Sequence, residues 1–179
     1  HNPTGVDPMP AQWPRIVDVV RARGLVPFVD LAYQGFGDGI DADGAVVRSF
    51  AATPGPLLVS SSFSKSFSLY GERVGALSVV AADKDEAARV VSQLKRLIRA
   101  NYSNPPTHGG QIVATVLCSP ELRALWEAEL ATMRNRIKLM RAMLVERLHE
   151  RVPGADFRFI LAQRGMFSYS GLTKAQVQA

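Results

Sequence analysis

The chain has 179 residues, 47% of them hydrophobic, enough to bury the core of one domain. Its formal charge of +5 is carried by basic residues mixed with acids, as in Arg134, Arg136, Lys138 and Arg141 beside Glu127, Glu129 and Glu146, with no basic run interleaved with aromatics, so nucleic acid is set aside as a partner. One cysteine, Cys118, rules out an intrachain disulfide and suits a reducing cytoplasm, the three histidines offer no zinc spacing, and neither a membrane-length apolar run nor a signal peptide is present.

The opening, His1-Asn2-Pro3-Thr4-Gly5, marks a tight turn that leaves the Asn2 amide available to a ligand; a plain turn role for Asn2 fits equally well. Residues 10–23 read as a helix, with Trp13, Ile16, Val17 and Val20 at helical spacing and Gly24 as the stop. A strand over 25–32 follows, with Asp30 near its end and Tyr33 just past it. A carboxylate among Phe28, Val29 and Leu31 is costly without a cationic partner, though Asp30 as a strand-end turn former and Tyr33 as a packing residue are also compatible.

A short helical segment within 41–52 leads through Pro54-Gly55 into an apolar strand, 56–61. A helix between two continuous apolar strands predicts a βαβ crossover, hence an α/β fold with a mostly parallel sheet flanked by helices. Such sheets bind ligands beyond the carboxyl ends of their strands. Asp30 and Lys65 both fall at or beyond such ends.

The next stretch, Ser60 to Gly75, sets Lys65 among the hydroxyls of Ser62 and Ser64, with Arg73 eight residues on. Desolvation and a nearby cation make a lysine amine nucleophilic, and an arginine with serine hydroxyls can surround a phosphate. A lysine beside a phosphate cradle points to pyridoxal phosphate held as a Schiff base, and a protonated pyridine nitrogen is the cation that Asp30 lacks. A serine-rich loop with a solvated Lys65 and Arg73 remains the plain alternative.

A strand over 75–82 ends at Asp83, which has capping-box spacing to Glu86 at the head of a helix whose stripe runs Ala87, Val90, Val91, Leu94, Leu97, Ile98. Arg99 falls in its last turn, where a cation favours the helix dipole. Residues 108–117 read as a further helix. Ser119-Pro120 then starts a long one, with Leu122, Trp126, Leu130, Met133, Ile137, Met140, Leu144 and Leu148 three or four apart. Some thirty residues at about 1.5 Å each give roughly 45 Å, longer than a small domain is wide, so this helix links two domains. Pro153-Gly154 ends it, a strand of alternating polarity is predicted over 157–161, and a last helix starts after Leu172.

Four blocks together resemble the class I, fold type I pyridoxal-phosphate-dependent aminotransferases, nearest the aspartate and aromatic amino acid branch. They are His1 to Gly5, Asp30-Leu31-Ala32-Tyr33-Gln34-Gly35-Phe36, Ser62-Phe63-Ser64-Lys65 with Tyr70 and Arg73-Val74-Gly75, and Arg99 to Pro106; Met166 to Leu172 extends the likeness. The resemblance implies that residues 1–118 belong to the large cofactor domain, 119–150 to an interdomain helix and 151–179 to the beginning of a small α+β domain. It covers only the middle and later part of such an enzyme, so the chain looks like a fragment that is inactive by itself. It further implies transfer of an amino group between an L-amino acid and a 2-oxo acid by ping-pong kinetics, with Lys65 as the catalytic amine. Asn2 and Tyr33 would then contact the ring oxygen, Asp30 the ring nitrogen, and Ser62, Ser64 and Arg73 the phosphate. Asn2 and Arg99 would contact substrate, Arg99 reaching across a homodimer with shared active sites. A lyase or decarboxylase of the same fold, and a non-enzymatic effector domain, are the competing expectations.

Overall fold

The computed structural model describes residues 2–178. A 3-10 turn at Pro10–Gln12 leads into α1 (Trp13–Ala22), followed by β1 (Phe28–Leu31), α2 (Ile40–Asp43), α3 (Ala45–Ala51), β2 (Leu57–Ser62) and β3 (Gly75–Val80). Then come α4 (Lys84–Asn101), α5 (Thr107–Cys118), α6 (Pro120–Arg151) and α7 (Lys174–Gln178).

Sequence chemistry accounts for the helix ends. Beyond α1, Gly24 takes a φ of +62°, and Leu25 N–H bonds to Val20 O while Gly24 N–H bonds to Arg21 O, so the last carbonyls are satisfied by a left-handed glycine closure. The Asp83 carboxylate accepts from Glu86 N–H, and Glu86 reaches back to Ala82 N–H at 2.6 Å. Ser119 caps α6 by accepting from Leu122 N–H at 3.3 Å. With 32 residues, α6 runs about 48 Å.

β1 and β2 pair in parallel around the α2–α3 crossover, with Val29 opposite Val59 and Leu31 opposite Ser61. Leu57 and Val59 alternate inward against Val17 of α1 and Phe50 of α3, forming a core flanked by Trp13, Ile16, Val29 and Leu31. Arg21 fastens α1 across this layer, donating to Phe50 O and Pro56 O and lying over the Phe50 ring.

One expectation is refined and one corrected. The three described strands pair in parallel from β1 to β2, as expected, while β3 runs antiparallel to β2. A parallel return needs a long crossover; residues 63–74 instead form one turn and a 3-10 segment at Tyr70–Glu72, and Phe63 N–H already pairs with Val74 O, continuing the ladder. The strand expected over 157–161 is a 3-10 helix at Arg158–Ala162. Its alternation does not match its burial: Ile160 is fully buried whereas Phe159 and Leu161 are about half exposed, and Asp156 caps the turn by accepting from Arg158 N–H. Among the described residues no helix is long and apolar enough to cross a membrane.

Candidate active site

Parallel register brings the carboxyl ends of β1 and β2 level, since Leu31 lies opposite Ser61. Tyr33 follows one end and Lys65 the other, and the Lys65 ammonium lies over the Tyr33 ring, 4.6 Å from its centroid. A cation at that distance is attracted by the ring's negative face. Asp30, exposed on β1, is paired in register with Ser60, whose hydroxyl donates to Asp30 Oδ1 at 2.9 Å and so fixes the carboxylate's orientation.

The turn that carries Lys65 is held from both sides. Ser62 Oγ accepts from Ser64 N–H, Phe67 N–H bonds to Phe63 O, and Ser68, at φ +56°, bonds to Lys65 O. From α6, Trp126 Nε1–H donates to Ser66 O at 2.7 Å and its ring stacks on Phe67. Ser64 is 5% exposed, while Ser62 is half-buried. Arg73 occupies the left-handed region at φ +54°, uncommon for a residue other than glycine, and its Nη1 donates to Tyr70 O. At Gly75 an added Cβ would stand 2.9 Å from Ser61 O, so only glycine lets β3 start this close to β2.

Asn2 is exposed, in a turn held by the later chain: Tyr169 N–H donates to Thr4 O and Arg164 N–H to Gly5 O at 2.7 Å. Arg99 is exposed at the end of α4, its Nη1 donating to Ser103 Oγ, so within this chain it is engaged locally rather than with the Lys65 group.

Sequence reasoning did not single out the supports of this cluster. Ser60 was detectable as the residue opposite Asp30 only once the strand register was known. Phe167 meets the Tyr33 ring edge-on, with centroids 5.2 Å apart. Its loop is folded around buried Gln163, whose Nε2 donates to Tyr169 O and whose Oε1 accepts from Tyr169 N–H and Ser168 Oγ. From α6, Arg134 donates to Gly35 O, and Arg141 donates to Gly165 O and to Phe167 O at 2.7 Å. Asp38 forms ion pairs with Lys138 and Arg164; the Lys138 hydrogen bond is the main reason its carboxyl is held below the usual range, outweighing partial burial, with the Arg164, Lys138 and Arg134 charges adding to it.

Of two hollows, one borders the site and one lies away from it, and Lys65 lines neither. One of about 230 Å³ is lined by Leu31, Ser62, Phe67 and Trp126; a larger one of about 760 Å³ lies far along α6 beside Val145, His149 and Phe157. Among the described residues no three His, Cys, Asp or Glu side chains are grouped to hold a metal ion.

Comparison with known proteins identifies relatives along the whole chain. The family model for aminotransferase class I and II matches residues 1–179. The chain is 62% identical over 178 residues to an aspartate aminotransferase of Pseudomonas aeruginosa and 55% identical over 177 residues to a tyrosine aminotransferase of Klebsiella pneumoniae, in each case over 99% of this chain and 45% of the relative. It superposes with a TM-score of 0.97, at 69% identity, on an aromatic-amino-acid aminotransferase from Burkholderia pseudomallei whose crystal structure has pyridoxal phosphate covalently bound; this match covers 99% of the chain and 45% of that structure. The chain therefore spans somewhat less than half the length of these relatives.

Proposed function

Since this chain belongs to the class I and II aminotransferases, we propose that the full-length protein transfers an amino group between an L-amino acid, aspartate, glutamate or aromatic, and a 2-oxo acid such as 2-oxoglutarate, using pyridoxal 5′-phosphate in a ping-pong cycle. Lys65 carries this reading: its amine projects from the end of β2 onto the Tyr33 ring, beside the strand that bears Asp30. The donor set fits the cofactor, with an amine for its aldehyde, a carboxylate for its ring nitrogen, a phenol for its ring oxygen, and hydroxyls and a guanidinium for its phosphate. Bound pyridoxal phosphate supplies the aldehyde that condenses with an amine and the ring that accepts an electron pair from the substrate's Cα.

The chain's own residues then divide the work. Lys65 Nζ would hold the cofactor and, as a free amine, would take up the proton leaving the substrate's Cα and hand it back on the cofactor side. Asp30, steadied by Ser60, keeps the ring nitrogen protonated. Tyr33 and Asn2 address the ring oxygen, Ser62, Ser64 and Arg73 hold the phosphate, and Arg99 meets the distal carboxylate of a dicarboxylic substrate bound to the partner subunit. A cytoplasmic homodimer belongs to the same proposal, supported by the exposure of Arg99 and the single cysteine. So does the division into a large cofactor domain (1–118), a linking helix (119–150) and the start of a small domain (151–179), supported by the reach of α6.

The test is product analysis with full-length protein, an amino acid donor and 2-oxoglutarate. Glutamate and the donor's 2-oxo acid are expected, both lost in Lys65→Ala; ammonia or carbon dioxide in their place would make the protein a lyase or decarboxylase. Mixing Lys65→Ala with Arg99→Ala subunits should restore part of the activity if sites are shared.

A further inference from the structure

We propose that Arg141 is a positioning residue for the Lys65 site, acting by fixing the Phe167 ring against Tyr33. Arg141 sits in the second half of α6, only 7% exposed, where burial works against its charge. Among the described residues no carboxylate pairs with it, and its Nε is buried without a partner. Elsewhere on this helix the inward positions are filled by side chains such as Leu130 and Val145, so an arginine here is costly for packing alone. Its Nη2 is given to two backbone carbonyls of one loop, those of Gly165 and Phe167.

Those two bonds fix the segment that sends the Phe167 ring edge-on to Tyr33 at 5.2 Å, and the Tyr33 ring carries the Lys65 amine at 4.6 Å. The path is thus guanidinium, loop carbonyls, Phe167 ring, Tyr33 ring, amine. Edge-to-face pairs hold orientation, so loss of the Phe167 contact removes one restraint on the Tyr33 ring and loosens the cover it gives the amine. On the same helix, Arg134 donates to Gly35 O in the loop after Tyr33, and Lys138 reaches the Phe167 loop only indirectly, through Asp38, which also pairs with Arg164.

The inference rests on Lys65 being the reacting amine, so the readout avoids turnover. In cofactor-free full-length protein, labelling of Lys65 by acetic anhydride is measured by peptide mass spectrometry relative to exposed Lys174. Arg141→Met and Phe167→Leu should each raise the relative rate roughly two- to fivefold, in keeping with loss of one cation–ring contact. The double variant should exceed neither single one, because both break the same link. Arg141→Lys, which retains the charge but not the paired geometry, should fall between wild type and Arg141→Met. A wild-type ratio in Arg141→Lys, or additive effects in the double variant, would overturn the proposal, and the first of these can be read even if Arg141→Met does not fold. Retention of bound pyridoxal phosphate by Lys65→Ala, with its covalent absorbance intact, would instead overturn the role of Lys65 and leave the labelling result standing.

Discussion

Asp43 is the side chain whose removal should loosen the site's edge most cleanly. Its Oδ2 accepts from the N–H groups of Gly35 and Gly37 at 2.8 and 2.9 Å, and its Oδ1 from Asp38 N–H at 2.8 Å, so one carboxylate ties three amides of the loop that follows Tyr33. Gly35 and Gly37 are buried, whereas Asp38 is exposed and can bond to water instead. A hydrogen bond to a charged group contributes roughly 1.5–3 kcal/mol, and leaving a buried N–H unpaired costs about 1–3 kcal/mol. Allowing for relaxation at two buried amides, Asp43→Ala should lower the local opening free energy by about 3 kcal/mol. At about 1.4 kcal/mol per decade, exchange of these amides should accelerate by roughly 100-fold. Hydrogen exchange with mass spectrometry on the full-length protein reads this from peptides over residues 34–39, with peptides over 57–60 as the control. Asp43→Asn, which keeps one acceptor oxygen in place, should accelerate exchange by about tenfold. Unchanged exchange over 34–39 in Asp43→Ala would refute the assignment of these three bonds.

Leu57→Ala should cost about 2–5 kcal/mol, because Leu57 is fully buried between Val17 and Phe50, and the urea midpoint of the full-length protein should fall accordingly. At Gly75, valine should shift the β2–β3 pairing, since its Cβ would meet Ser61 O, and the expected result is weaker protection of the 75–80 amides. Arg158 donates to Asp156 through its side chain and backbone and holds that carboxyl down at about 2, from an ordinary 3.8. The folded value being depressed, the stabilisation from this exposed pair is complete above the ordinary value and is lost as pH falls from about 4 through about 2. An NMR titration should show Asp156 returning toward 3.8 in Arg158→Gln, and no movement would refute the cause.

The apolar patterning was legible where burial followed it. Helices α1, α4 and α6 and the strand ends that bear Asp30 and Lys65 lie where periodicity and capping residues put them, because local chemistry and tertiary packing agree there. The 157–161 segment was misread because alternation signals a strand only when a neighbouring strand can pair with it; here the buried residue is Ile160 and a 3-10 turn satisfies the backbone. The antiparallel course of β3 was hidden because orientation depends on how residues 63–74 fold, which their serines and aromatics do not declare. The meeting of Phe167 with Tyr33 joins residues 134 positions apart through carbonyls held by Arg141, and backbone acceptors leave no mark in a sequence.

That last feature bears on how such a molecule can change. A guanidinium that grips main-chain oxygen is indifferent to which side chain the gripped residue displays, so mutation at position 167 alters the ring offered to Tyr33 without removing the carbonyls that hold the loop. The course of the loop and the ring it displays are thus secured by separate means, one by main-chain oxygen and the other by the side chain alone.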